Sequence, residues 1–120
     1  MSVLTTAAIS IVIVSHILFM LLEMFMWDTP FGRKTFGLKE DYAKQSATLA
    51  ANQGLYNGFL AAGLLWGLVG TGVFDALVFF LNCVIIAGIY GALTVKRSIL
   101  FLQALPAAIA MVLLILDTYR

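Results

Sequence analysis

Residues 3–27 read VLTTAAISIVIVSHILFMLLEMFMW, with no Gly or Pro and only two ionisable side chains, His16 and Glu23. A bilayer core about 30 Å thick takes roughly 20 apolar residues in helix, so this stretch is long enough to cross it. Its apolar residues are continuous rather than alternating, which selects a helix over a barrel strand. An ionisable side chain at the centre of such a helix costs about 2.5–3.5 kcal/mol on insertion scales, so His16 and Glu23 each call for a partner or a use.

The rest of the chain repeats the pattern. Of 120 residues, 62% are hydrophobic and 11% charged, and the mean hydropathy is +1.04; soluble domains carry about 25% charged residues. Three further apolar stretches fall at about 48–69, 74–94 and 99–116. The expected fold is all-α: a single polytopic membrane domain, an antiparallel bundle of four transmembrane helices, joined after the first by a cytoplasmic loop at about 28–47. No basic residue precedes Val3 and the apolar run exceeds a signal-peptide core, so the first helix is expected to be retained.

Charge orients the bundle. Arg33, Lys34, Lys39 and Lys44 follow the first helix, Lys96 and Arg97 follow the third, and Arg120 alone is expected on the opposite side. The positive-inside rule then places the basic loops in the cytoplasm and both termini outside, in the cell (inner) membrane. Trp27 and Tyr42 suit the aromatic belt at that face. A formal net charge of +1 with no concentrated basic surface gives nucleic acid no purchase. The expected partners are membrane lipids.

Punctuation along the chain is sparse. Pro30 and Gly32 open the 28–47 loop, whose second half, 38–47, lacks Gly and Pro and suits an interfacial extension of the second helix. Gly70, Thr71 and Gly72 make a tight turn, and Asp75 follows near a helix N-terminus, where the macrodipole favours an anion. Pro106 should kink the last helix. Gly54 with Gly58, and Gly63 with Gly67, are spaced to let helices approach closely.

On the first helix, His16, Met20, Glu23 and Trp27 follow steps of four, three and four and share one face. Glu23 is about 6 Å above Trp27 along the axis, and His16 about 10.5 Å beyond Glu23, too far for direct contact. The second helix returns with Asn52, Gln53, Tyr56 and Asn57; the third brings Tyr90 and the fourth Gln103 to similar depths. Each amide or phenol can serve as an interhelical hydrogen-bond partner, at about 0.6 kcal/mol on average. Converging with an acid and an imidazole, they read instead as an inner-half polar pocket.

Glu23 and His16 are the candidate catalytic pair, an acid and base with a small lipophilic molecule between them; Met20, Trp27, Asn52, Gln53, Tyr56, Asn57, Tyr90 and Gln103 are the candidate ligand-binding residues. The alternatives are a proton-coupled exporter of small or cationic compounds acting as a homodimer, with Glu23 trading proton for substrate, and a structural membrane subunit. One His, one Glu at this spacing and the lone Cys83 make no usual metal shell, and no cofactor motif is present.

His16, the block Leu22-Glu23-Met24-Phe25-Met26-Trp27 and the block at residues 52–63, NQGLYNGFLAAG, resemble a family of small bacterial integral membrane proteins, that of the domain of unknown function 1304. The resemblance runs over the whole chain. It implies a four-helix membrane protein and supplies no catalytic residues.

Overall fold

The computed structural model describes residues 1–70 and 73–119. Every regular element in them is helical: α1 (Val3–Phe25), α2 (Pro30–Phe36), α3 (Glu40–Val69), α4 (Phe74–Thr94), a π-helical turn (Leu100–Ala104) and α5 (Leu105–Tyr119). The turn expected at Gly70, Thr71 and Gly72 lies, from Thr71 on, outside the described residues.

Local chemistry sets the ends of these elements. Thr29 caps α2, its Oγ1 accepting from the Gly32 N–H at 3.1 Å and donating to the Met26 carbonyl at 2.7 Å, with Pro30 in the first turn. Gly37 closes α2 at φ +67°, the left-handed region in which a Cβ is unfavourable. Glu40 and Asp41 in the first turn of α3 complement its dipole. The 28–47 segment is thus not one irregular loop: it holds all of α2, and α3 begins at Glu40.

Pro106 shapes the far end. A proline has no N–H to give and its ring crowds the turn before it, and here the preceding turn is widened into the π conformation at Leu100–Ala104. The Leu105 N–H bonds back to the Leu100 carbonyl, five residues away.

Three stretches are long and apolar enough to cross a membrane: Val3–Phe25, Phe74–Thr94 and Leu100–Tyr119. At 30 residues α3 is the longest helix but is not among them. Its first turns are charged, and Asn52, Gln53 and Asn57 dilute the rest. The outward surface is apolar, with Leu4, Ile11, Phe79, Ile86, Leu93 and Phe101 exposed, as suits a protein surrounded by lipid.

The chain divides into two compact units, Met1–Val14 with Leu60–Arg120, and Ser15–Phe59. The first has an aliphatic core: Ile9, Val12 and Ile13 of α1, Ala61 and Leu64 of α3, Leu77, Leu81 and Val84 of α4, and Ala107, Ala110, Met111 and Leu114 of α5. Small residues bring its helices together. A Cβ on Gly63 would strike the Phe80 ring, and one on Gly88 would lie 2.6 Å from the backbone nitrogen of Ala104 in the π turn. In the second unit, α1 and α3 run antiparallel, Met24 and Met20 lying over Gly54 and Met20 over Gly58. The Trp27 ring rests on Phe36 of α2 with centroids 4.8 Å apart.

Candidate functional site

The second unit brings Glu23 and Asn57 together. Asn57, 5% exposed, belongs to the side of α3 that carries Ala50 and Gly54, the side turned to α1. Its Nδ2 donates to Glu23 Oε1 at 2.5 Å. Gly54 makes this pairing possible, since a Cβ there would lie 3.0 Å from the Cβ of Glu23 and from the Met20 carbonyl. Among the described residues Glu23 has no second hydrogen-bond partner. One carboxyl oxygen is held by an amide, and Oε2 is left for another donor.

Met20 fills the space beside the pair, its Sδ 2.7 Å from where a Gly58 Cβ would stand. His16 is 1% exposed and meets the Phe19 ring edge-on, centroids 5.4 Å apart. Trp27 is tied into the helix ends: its Nε1–H donates to Ser46 Oγ at 2.9 Å, and that hydroxyl donates to the Tyr42 carbonyl at 2.6 Å.

The remaining expected residues do not join Glu23 by any contact described. Asn52, Gln53 and Tyr56 are exposed on α3, Tyr56 meeting only the edge of Phe59 among aromatic rings. At 100° per residue, Asn52 falls nearly opposite the Ala50, Gly54 and Asn57 seam, Tyr56 falls towards that far side, and Gln53 falls on the flank of the seam. Tyr90, 69% exposed on α4, and Gln103, half-buried in the π turn, belong to the first unit.

Ser46 and Thr29 went unmarked in the sequence, and Phe36 stood out only as an apolar residue suited to the headgroup region. A Ser four residues after Tyr42 on one helix, and a Thr before Pro30, were the available signals. Two cavities are described, both in the first unit and neither lined by His16, Glu23 or Asn57: a crevice of about 390 Å³ where α3 ends and α4 begins, and an apolar hollow of about 270 Å³ along Ala108, Ile109, Val112 and Leu113. No cluster of three or more His, Cys, Asp or Glu suited to a metal occurs among the described residues.

Comparison with known proteins places the chain. Over 115 residues it is 28% identical to the uncharacterized protein YpaA of Lactococcus lactis subsp. lactis (strain IL1403), a match that covers 93% of this chain and 97% of that one. No solved structure matches it. The family described as "Protein of unknown function (DUF1304)" matches residues 10–115. Nearly the whole helical framework, the Glu23–Asn57 pair included, falls inside that match, and the chain is a member of the DUF1304 family.

Proposed function

We propose that the protein is a multi-pass protein of the bacterial inner membrane, crossing it four times with its basic loops cytoplasmic, and that it holds a small lipophilic molecule at Glu23 and Asn57. The observation that carries this reading is the hydrogen bond from Asn57 Nδ2 to Glu23 Oε1. A carboxyl group fixed in plane by an amide presents its other oxygen in a defined direction, which is how a site in an apolar medium selects a donor-bearing ligand. Glu23 is then the group that gives or takes a proton at the ligand's N–H or O–H, Asn57 orients the carboxyl, and Met20 supplies an adaptable apolar contact. His16 is the second proton-carrying group on the same helix face.

The experiment compares wild-type protein with Glu23→Gln and Asn57→Leu, each purified from membranes in a mild neutral detergent and stripped with organic solvent for mass spectrometry. One lipophilic species near one per chain in the wild type, depleted about tenfold in Glu23→Gln, is expected. Equal recovery from all three proteins, with helicity unchanged, would overturn the reading. Incubating the same proteins with total lipid extract separates binding from conversion, since only conversion produces a new species.

A further inference from the structure

Among the long helices α3 is the polar one, and part of its polarity is on an exposed face. Within the second unit, Gln45, Thr48, Asn52, Leu55 and Phe59 are all exposed. They follow one another in steps of three, four, three and four, the spacing at which one helix lays a continuous seam against another. At 100° per residue they fall in a stripe about 80° wide, on the side away from Ala50, Gly54 and Asn57. α1 packs on that other side and leaves the stripe open. Tyr56 flanks it, exposed, its ring meeting Phe59 edge-on with centroids 5.8 Å apart.

The stripe is uncharged. Glu40, Asp41 and Lys44 all precede it, and from Gln45 to Val69 the helix carries no ionisable acid or base. Among the described residues the side-chain amides of Gln45 and Asn52 make no hydrogen bond. A carboxamide has two donor hydrogens and an acceptor oxygen, and hydrocarbon answers neither. In a bilayer such a stripe is stable only against a surface that returns its hydrogen bonds.

We propose that this surface is a second copy of the chain, with α3 paired to α3 along Gln45, Thr48, Asn52, Leu55 and Phe59 in a parallel two-fold dimer. An amide donates and accepts at once, so Asn52 meets its own copy across the axis with reciprocal hydrogen bonds, and Gln45 and Thr48 do the same. Because the stripe is neutral, like meets like without repulsion. Copies inserted in one direction run parallel, which brings equivalent residues to equal depth. Leu55 and Phe59 supply apolar packing, and Asn52 fixes the register, as a single Asn does in the seam of a coiled coil. The proposal rests on the reading that α3 crosses the membrane and does not depend on a ligand at Glu23.

The test places single cysteines in the full chain, in a Cys83→Ser background, and oxidises inner-membrane vesicles with copper phenanthroline. Asn52→Cys, Leu55→Cys and Phe59→Cys are expected to give a disulfide-linked species of twice the chain mass, and Gln53→Cys, exposed on another face, about a tenth as much. No link at any seam position, equal yields at 52 and 53, or a linked species of another mass overturns the proposal. Asn52→Leu and Asn52→Gln test the amide, through energy transfer between donor- and acceptor-labelled copies diluted in vesicles of neutral lipid. Asn52→Leu should weaken the dimer about threefold to twentyfold and Asn52→Gln should stay close to wild type. Leucine is the more apolar residue, so a seam held by apolar contact alone would not weaken, and undiminished pairing of Asn52→Leu overturns the proposal. If Asn52→Leu fails to insert, the cross-linking pattern decides alone. Absent cross-links with Lys39 and Lys96 on one face of the membrane remove the dimer alone, whereas those two positions on opposite faces remove α3 from the bilayer and the dimer with it.

Discussion

Asn57 is the side chain through which α3 engages the one acid of α1. Buried against α1 and donating to Glu23 Oε1, it turns what would be a solitary carboxyl in an apolar helix into half of a hydrogen-bonded pair. Such bonds in membranes average about 0.6 kcal/mol and reach about 1.7 kcal/mol. A double-mutant cycle with Glu23→Gln and Asn57→Leu, read from unfolding in mixed micelles of rising dodecyl sulfate content, should give a coupling energy in that range; zero coupling would mean that the bond contributes nothing to stability. The four-three-four spacing of His16, Met20, Glu23 and Trp27 made the α1 half of this site legible, and Asn57 was named with it. Its neighbours Asn52, Gln53 and Tyr56 were named for the same reason, their depth along α3. Depth is a count of residues, but contact also needs direction, and a helix turns 100° at every step, so residues at one level point at different surroundings. Tyr90 and Gln103 were likewise named for depth alone, and they belong to the other compact unit.

Gly88 and Pro106 act together on one element. The last apolar stretch contains the π turn, and Gly88 of α4 packs directly on it, a Cβ there falling 2.6 Å from the nitrogen and 2.7 Å from the Cβ of Ala104. Backbone cannot yield as a side-chain tip can. Gly88→Ala should therefore lower stability by about 1–3 kcal/mol in the same mixed-micelle titration, whereas Ala87→Gly on the exposed face should cost about 1 kcal/mol or less. Pro106→Ala restores an N–H and removes the ring; the expected result is conversion of Leu100–Ala104 to α geometry, seen as a shift in the carbon chemical shifts of those five residues. Pro106 marked the disturbance in the sequence, but a kink and a widened turn have the same signature there. α2 was hidden for a different reason: seven residues are too few to show a period, and only its punctuation, Thr29, Pro30 and Gly37, betrays it.

At the scale of the molecule the open question is how α3 meets the membrane. Val3–Phe25, Phe74–Thr94 and Leu100–Tyr119 are each apolar enough to cross alone, and α3 is not. A crossing by α3 would depend on what it packs against: Gly54 and Gly58 let α1 close over it within one unit, and Gly63 and Gly67 admit Phe80 and Leu77 of α4 within the other. Close packing and the Asn57 bond would then offset the cost of placing a polar helix in lipid. Sidedness tests this directly. If α3 crosses, two spans separate Lys39 from Lys96 and both lie on one face; if it lies along the surface, one span separates them and they lie on opposite faces. In a Cys83→Ser background, the proposed four-span topology with its basic loops cytoplasmic predicts that Lys39→Cys and Lys96→Cys both react with a membrane-impermeant maleimide in inverted inner-membrane vesicles and that both are protected in right-side-out ones. Labelling of the two positions from opposite faces would remove α3 from the membrane-crossing set and, with it, a Glu23–Asn57 site at membrane depth.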